Sequence, residues 1–514
     1  MLKTQPEQGL QNLAGVSTPV EERQSVDSPG APRALDGFAA PVPELFVLRD
    51  EEGPILYAPL GGLLLARLDE EGLSTVKAAL DPQTRRSDLS AEQQQTLATL
   101  EAHHFFDDFP RPVSDAAFKP CEVTLFPTNR CNLRCVYCYT EGGEGGALHE
   151  ELTTLDLDAG KAAIDLVARN AKELNAQSGS GYPRNFLVSF HGNGEPFAAF
   201  DTVRELCFYA RDVSEAIDFP VVLNAATNGV LTEEQCDFLL AYFDNVNISF
   251  DGLPDIQDRQ RPRADGAPTF ELIDRTLRRL DASSVEYGIR TTVTAAIADR
   301  LSEITRFVAE RYPRCTQLHL EPVWACGRCR SSHEEPPDAA VFTDRYLEAA
   351  DVLAQSGSPM RLVFSGARKE LLCDAFCKVN VGSFTVTPTG DVTACYEVSY
   401  RSDPRSARYF FGRYDPESGV YVFDEGKLAA LHELTVHNMP FCARCFCKWH
   451  CAGDCAAKVL GTRAPQTNQG SDRCEITRRL TLKMLQRELV ASKSAPPGAP
   501  AQEDTRTQDS EDTP

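Results

Sequence analysis

The spacing of apolar residues changes several times along the chain. Residues 1–43 are rich in Pro, Gln, Ser and Gly without any period, which predicts a disordered leader. From 44 onward the pattern tightens. LFVLRD (45–50), ILYAPL (55–60) and LLLARL (63–68) read as strands, and DEEGLSTVKAAL and SAEQQQTLATLEAHHFF carry helical spacing. This order predicts a small α+β, winged-helix-like module over 44–112, a candidate peptide-docking unit or a plain appendage.

Between 119 and about 325 short apolar runs alternate with amphipathic stretches. The runs are CEVTLFPT (121–128), FLVSFHG (186–192), VVLNAATNG (221–229), NVNISFDG (245–252), YGIRTTVT (287–294) and TQLHLEPV (316–323). Helical segments are predicted near 156–174, 200–213, 232–241, 268–281 and 299–311. Such βα repetition predicts an α/β fold, a parallel sheet closed or partly closed as a barrel, with its chemistry at the strand ends. Residues 360–480 break the rhythm with short strand-like pieces and dense cysteines, as in a region that metal organises. The tail, 492–514, has almost nothing to build a core and is expected to be disordered.

Charge and cysteine content narrow the function. Across 514 residues, 75 Asp and Glu outweigh 52 Lys and Arg, a net charge of −23. That balance repels phosphate backbones, so no nucleic-acid partner is expected. No apolar run approaches the roughly 20 residues of a membrane span, and no basic-then-apolar secretory signal opens the chain. A cytoplasmic location follows as the expectation. In that reducing compartment 18 cysteines suit metal or redox chemistry better than disulfides.

The first cysteine array, TNRCNLRCVYCYTEGG (128–143), directly follows the first barrel strand and holds Cys131, Cys135 and Cys138. A cubane iron–sulfur cluster takes one thiolate per iron, so three leave one iron for another ligand. A zinc triad is the competitor, although catalytic zinc usually recruits His or carboxylate, and this loop contains neither His nor Asp. The next strand ends are HGNGEPF (191–197), TNG (227–229) and ISFDG (248–252). Gly192 and Gly194 let backbone approach a ligand, and Glu195 can accept from an ammonium. Asn228 and Ser249 add small polar groups. Any one of these is most simply a turn; together they form a ligand rim.

This set resembles the radical S-adenosylmethionine (SAM) superfamily: the Cys-x3-Cys-x2-Cys loop with Tyr137 before its last Cys, a GGEP-like turn, TNG and S-F-D-G. The resemblance implies a partial (β/α)6 TIM-type barrel over 119–335. It implies a [4Fe–4S] cluster on Cys131, Cys135 and Cys138, whose open iron chelates the amino and carboxylate groups of SAM. By the same mapping the Tyr137 backbone contacts adenine, and Gly194 and Glu195 hold the methionine ammonium. Ser249 holds the carboxylate or ribose, and Asn228 joins the rim. Arg290 pairs the SAM carboxylate or forms a barrel ion pair. The turn departs from the family at Asn193, which replaces a glycine. The implied chemistry is reductive cleavage of SAM to a 5′-deoxyadenosyl radical that removes an unactivated hydrogen atom.

Downstream, Cys377-x12-Gly390-x4-Cys395, then CARCFCKWHCAGDC (442–455) and Cys474 resemble the SPASM auxiliary-cluster domain of peptide and protein maturases. This implies two auxiliary clusters of [4Fe–4S] type. One would use Cys377, Cys395 and Cys455, with Cys373 as candidate fourth ligand; the other would use Cys442, Cys445, Cys451 and Cys474. Cys447 reads as a bystander, and Cys326 and Cys329 in WACGRC either bind metal, steer a peptide or stay unpaired. Sulfatase-type formylglycine-generating enzymes resemble this group but carry an Asp after the Cys395 position. Here Tyr396 and Glu397 follow, candidates for acid–base work or a salt bridge.

The favoured expectation is a maturase that installs a thioether, carbon–carbon crosslink or related change in a ribosomally made precursor peptide. Its electrons would come from a low-potential donor such as ferredoxin or flavodoxin. The alternatives are a formylglycine-generating or enzyme-subunit maturase, and a non-catalytic multi-cluster electron-transfer or metal-binding protein.

Overall fold

The computed structural model describes residues 44–114, 117–141, 151–177, 183–377 and 383–494. Upstream it describes only β1 (Thr18–Pro19), β2 (Arg33–Leu35) and β3 (Phe38–Ala40). The expected leader and tail otherwise lie outside the described residues. β1 pairs antiparallel with Phe46 and Val47, so a piece of the leader region adds an edge strand, and the last helix runs on to Ser494.

The N-terminal module has the expected order: β4 (Phe46–Asp50), β5 (Gly53–Ala58) and β6 (Leu64–Arg67), then helices Glu70–Leu80 and Ala91–Ala102. Asp69 caps the first helix, and Ser90 with Gln93 makes a reciprocal cap on the second. Strand alternation divides its apolar residues between two cores. Val47, Leu56 and Ala58 face the helices, whereas Phe46, Leu48, Ile55 and Tyr57 pack on Phe446, Leu482 and Leu485 of the C-terminal region. Glu44 also accepts hydrogen bonds from Lys448 Nζ and Trp449 Nε1. The module is thus built into the auxiliary region through a shared core, which a local strand-and-helix pattern does not reveal.

The central sheet has eleven strands in the order β13-β12-β11-β10-β9-β8-β7-β14-β15-β16-β17. The six expected barrel strands are β7 (Glu122–Leu125), β8 (Phe186–Phe190), β9 (Val221–Thr227), β10 (Asn245–Ser249), β11 (Glu286–Val293) and β12 (Gln317–Pro322). They pair in parallel, each with its chain neighbour. Two strands from the 360–480 region extend this parallel sheet: β13 (Arg361–Val363) beside β12 and β14 (Ser383–Val386) beside β7. β15 (Asp391–Thr393), β16 (Phe410–Asp415) and β17 (Val420–Phe423) continue it antiparallel. The region expected to form a separate auxiliary unit therefore begins as the two edges of the barrel sheet.

Alternation sets the two faces. In VVLNAAT, Val221, Leu223, Ala225 and Thr227 are buried under the helices, while Val222, Asn224 and Ala226 are half-buried on the other face. Helix residues such as Ile164, Val167, Leu206, Leu277 and Ile304 complete the outer core. The inner face is polar. Parallel register sets Ser249 beside Arg290 and Arg290 beside His319.

Candidate active site at the barrel strand ends

The loop after β7 is held from both sides before any ligand is considered. Asn129 accepts from Thr153 N (2.8 Å) and donates to Glu151 O (3.0 Å). Arg134 N and Val136 N donate to Pro262 O (2.8 Å) and Gln260 O (2.9 Å), stitching the cysteine loop to the segment after the fourth barrel strand. Cys131, Cys135 and Cys138 lie on this stretch within electrostatic reach of one another. Burial, then neighbouring thiols, pushes Cys131 up; burial also pushes Cys135 up to about 11, against the pull of Arg261. Such thiols become thiolates readily only where a cation takes up the charge, as iron does.

The GNGEP turn packs against this loop backbone to backbone. A Cβ on Gly194 would stand 2.1 Å from Arg130 O, and one on Gly192 would stand 2.0 Å from Gly194 O. Glu195 N donates to Arg130 O at 2.7 Å. The Glu195 carboxylate is 3% exposed and already engaged. Oε1 accepts from Thr227 Oγ1 (2.7 Å) and Phe197 N (3.1 Å), and Oε2 accepts from Asn228 N (2.8 Å). Burial raises its pKa to about 6 despite those bonds. The structure thus uses Glu195 to tie two strand ends together, which a motif match cannot indicate. Asn228 Nδ2 donates to Asn132 Oδ1 (2.7 Å) and lies 3.9 Å from Cys131 Sγ, joining the third strand end to the loop. Asn193, between the two glycines, is buried, and among the described residues neither its amide atoms nor His191 Nδ1 has a hydrogen-bond partner.

Tyr137 is buried, and its hydroxyl donates to Asp251 of the S-F-D-G end. Asp251 pairs with Arg261 Nε (3.1 Å) and accepts from Gln260 Nε2 (2.8 Å) and Thr292 N (3.1 Å); the Arg261 guanidinium lies 5.2 Å from the Tyr137 ring centre. Asp251, Gln260 and Arg261 were not singled out from the sequence. Asp251 stands inside the quoted motif, but Gln260 and Arg261 belong to no strand-end pattern.

WACGRC packs on the same loop. A Cβ on Gly327, whose φ is +52°, would meet Cys138 O at 2.4 Å, and Arg328 donates to Cys138 O (2.9 Å) and Cys135 O (2.8 Å). Cys329 is buried with Sγ directed at Glu334 O (3.0 Å), whereas Cys326 lies beside Glu397, Lys458 and Arg405. The two thiols therefore have different surroundings.

Arg290 donates to His319 Nδ1 (3.0 Å), and His319 Nε2 donates to Glu321 (2.9 Å). Burial and Arg290 lower the pKa of His319, which suits this neutral tautomer. Glu321 pairs with Arg473 (2.6 Å), and Arg473 pairs with Asp454 (2.9 Å). Burial alone would raise Glu321; Arg473 and His319 hold it well below the usual carboxylate range. This chain of buried charges runs from the barrel to the residues preceding Cys474 and Cys455.

Cys377, Cys395 and Cys455 lie within electrostatic reach of one another. So do Cys442, Cys445, Cys451 and Cys474, and Cys447 Sγ sits 3.3 Å from Cys445 Sγ. The Cys373 thiol, the candidate fourth ligand, lies 3.5 Å from an Arg368 nitrogen and 3.8 Å from Trp449 O. Among the described residues no three His, Cys, Asp or Glu side chains converge as ligands of one ion. In a cubane each thiolate takes its own iron corner, so its ligands need not converge on one point. Glu397 is clamped between Arg405 (3.4 Å) and Lys458 (3.2 Å), so its geometry is that of the salt bridge. Tyr396 meets Thr124 Oγ1 at 2.9 Å and stacks on His191, with ring centres 4.7 Å apart.

Residues 125–297 match the Radical SAM superfamily. The chain is 24% identical over 231 residues to the sporulation killing factor maturation protein SkfB of Bacillus subtilis, covering 43% of this chain and 49% of that protein. It spans about half the length of the curated relatives it matches. Among solved structures it resembles anSMEcpe with bound AdoMet, at TM-score 0.55 and 16% identity over 74% of this chain and 96% of that one. It also resembles Streptococcus suis SuiB bound to S-adenosylmethionine, at TM-score 0.50 and 14% identity over 83% and 98%.

Proposed function

We propose that this chain, which carries a radical SAM domain over residues 125–297, is a radical SAM/SPASM maturase of ribosomally made peptides. One observation carries the reading: the three-thiol loop, the GNGEP turn and the S-F-D-G end meet at the rim of a polar barrel face, with two further thiol groups packed into the same body. The name of SkfB as a maturation protein supports the substrate class.

In this reading Cys131, Cys135 and Cys138 hold the cluster that binds SAM, and Cys377, Cys395, Cys455, Cys442, Cys445, Cys451 and Cys474 hold the auxiliary clusters. Cys373 is the candidate fourth ligand of the first auxiliary site. Bound there, the cluster and SAM would supply one-electron radical chemistry directed at a hydrogen atom of a peptide residue. The protein's part is orientation and exclusion of water. Asp251 and Arg261 fix Tyr137, Asn228 ties a strand end to the cysteine loop, and Ser249 and Arg290 line the polar face. Glu397 acts as charge partner of Arg405 and Lys458, and Tyr396 beside His191 is the better-placed proton carrier. A low-potential electron donor and a precursor peptide are the partners, with the 44–112 module as candidate docking unit and the cytoplasm as the place. No helix among the described residues is long and apolar enough to cross a membrane.

Anaerobic reconstitution with iron and sulfide tests this reading. About twelve irons per chain, with 5′-deoxyadenosine formed on reduction with SAM, is expected if all three sites hold cubanes. Replacing Cys131, Cys135 and Cys138 together by Ala should abolish SAM cleavage while the auxiliary iron stays. Zinc in place of iron, or an iron-loaded chain that never cleaves SAM, would leave the electron-transfer or metal-binding alternative.

A further inference from the structure

The thiol group of Cys442, Cys445, Cys451 and Cys474 comes to the surface beneath an aromatic ring and two arginines. Cys442 and Cys451 are buried, but Cys445 and Cys474 are only half-buried. Phe441, 38% exposed, covers that side: a Cβ on Gly470 would meet its ring at 2.4 Å and Cys474 Sγ at 3.3 Å. The Arg478 guanidinium lies 5.5 Å from the Phe441 ring centre and within hydrogen-bond reach of Cys445. Arg444 is exposed and makes no ion pair among the described residues. Of the acidic neighbours, Glu475 is taken by Arg479 (2.8 Å), and Asp472 is exposed. This stretch reverses the sign of the chain. Between Phe441 and Lys483 eight Lys and Arg stand against three Asp and Glu, in a chain of net charge −23. One exposed ring is ordinary by itself. Here it lies, with an arginine over it, directly on thiols that hold a redox cluster in the proposed function.

We propose that the surface formed by Phe441, Arg444 and Arg478 is the docking site of an acidic one-electron carrier protein, which reduces the second auxiliary cluster there. Charge decides the partner. An acidic carrier is repelled by most of a chain of this net charge and is steered to a face where the sign is reversed. Electron-transfer contacts are small and short-lived, and an arginine–aromatic pair with an unpaired cation beside it suits one. The cysteine loop at the barrel mouth is also half-buried, but SAM and peptide sit there in the proposed function; a carrier at Phe441 leaves them room. One electron leaves the carrier and enters the cluster, and no bond forms or breaks. The assignment rests on the radical SAM/SPASM reading and adds to it the face through which electrons enter.

The test uses the full chain, reconstituted anaerobically, with flavodoxin as the acidic carrier and dithionite as a reductant that needs no docking surface. Wild type, Arg444→Glu, Phe441→Ser and Lys483→Glu are compared. Lys483→Glu makes the same charge change on the face of its helix that lies beside Val341 and Asp344. Flavodoxin binding is measured calorimetrically, and cluster reduction by stopped-flow absorbance at low and high salt. Arg444→Glu and Phe441→Ser should each weaken flavodoxin binding and slow reduction by it about tenfold, with dithionite rates and iron content unchanged. Added salt should slow the wild type and narrow its gap to Arg444→Glu, and Lys483→Glu should stay near wild type. Flavodoxin binding and rates that are unchanged in both surface variants overturn the proposal. Losses that are equal with dithionite, or equal in Lys483→Glu, overturn it too. A polyglutamate peptide that displaces flavodoxin at equal concentration does the same, because the surface then fits an acidic peptide. So does a wild-type dimer in sedimentation that Arg444→Glu breaks while reduction by flavodoxin persists, which gives the surface to a second copy. A wild-type chain that takes electrons from flavodoxin through this face yet never cleaves SAM keeps the docking site and sinks the radical SAM reading.

Discussion

Glu195 shows how one side chain can be recognised from sequence while its partners go unseen. Its place in GNGEP was legible only beside the cysteine loop, TNG and S-F-D-G, because a Gly-rich turn alone is most simply a turn. Its three acceptor bonds were not, since Thr227 and Asn228 reach it only through pairing of β8 with β9. Burial sets a testable sign. A carboxylate whose folded pKa is raised from 4.5 to about 6 loses stability as pH rises through that window. Glu195→Gln has no such titration. Its stability relative to wild type should therefore rise by about 2 kcal/mol between pH 4.5 and 7 in ligand-free protein, measured by urea unfolding at both values. A gap that stays constant with pH would show Glu195 titrating normally. Asp251, by contrast, was visible as a letter of S-F-D-G, while its partner Arg261 was not. The pair forms only when the segment after the fourth barrel strand folds back on the cysteine loop.

Among the elements, the strands and helices of the barrel follow directly from the two periods in the sequence. β8 to β12 fall where the apolar runs lie, and Asp156 and Thr232 cap the helices that follow two of the turns. The turns between them are less legible, because their job is contact with other turns. Gly194 is the clearest case: nothing local demands a glycine, and the backbone of Asn129 and Arg130 excludes a Cβ. Gly194→Ala should push the turn off the cysteine loop and abolish measurable SAM binding, with iron content close to wild type. Retained SAM affinity would mean the loop can yield. β13 and β14 were also missed as barrel strands. Three- and four-residue strands carry too little pattern to assign, and pairing with β12 and β7 makes them strands.

At the scale of the whole molecule, the N-terminal module, barrel and auxiliary region share cores and buried charges. Phe46, Leu48, Ile55 and Tyr57 cover the Cys445–Cys447 stretch, and Tyr57 OH meets His450 Nε2 at 2.5 Å beside Cys451. Arg473 joins Glu321 of the barrel to Asp454 of the auxiliary region with all three side chains at most 7% exposed. Removing one member of a buried ion network leaves the others unpaired, at a cost of about 3–5 kcal/mol. Arg473→Met should lower the unfolding free energy by that amount, and the loss should shrink when Glu321 is changed to Gln in the same chain. An additive double variant would show that the two groups do not interact.

The sequence by itself determined the element order, the polar strand ends and the grouping of the cysteines, because each is written in spacing along the chain. Only the tertiary structure decided which polar groups are already satisfied and which remain open. It clamped Glu397 between two cations, set the Cys373 thiol beside Arg368, engaged Glu195 and left Asn193 buried without a partner among the described residues. The physical reason is that hydrogen bonding and desolvation depend on atoms brought together from distant residues, and no local pattern of residue types records where those atoms end up.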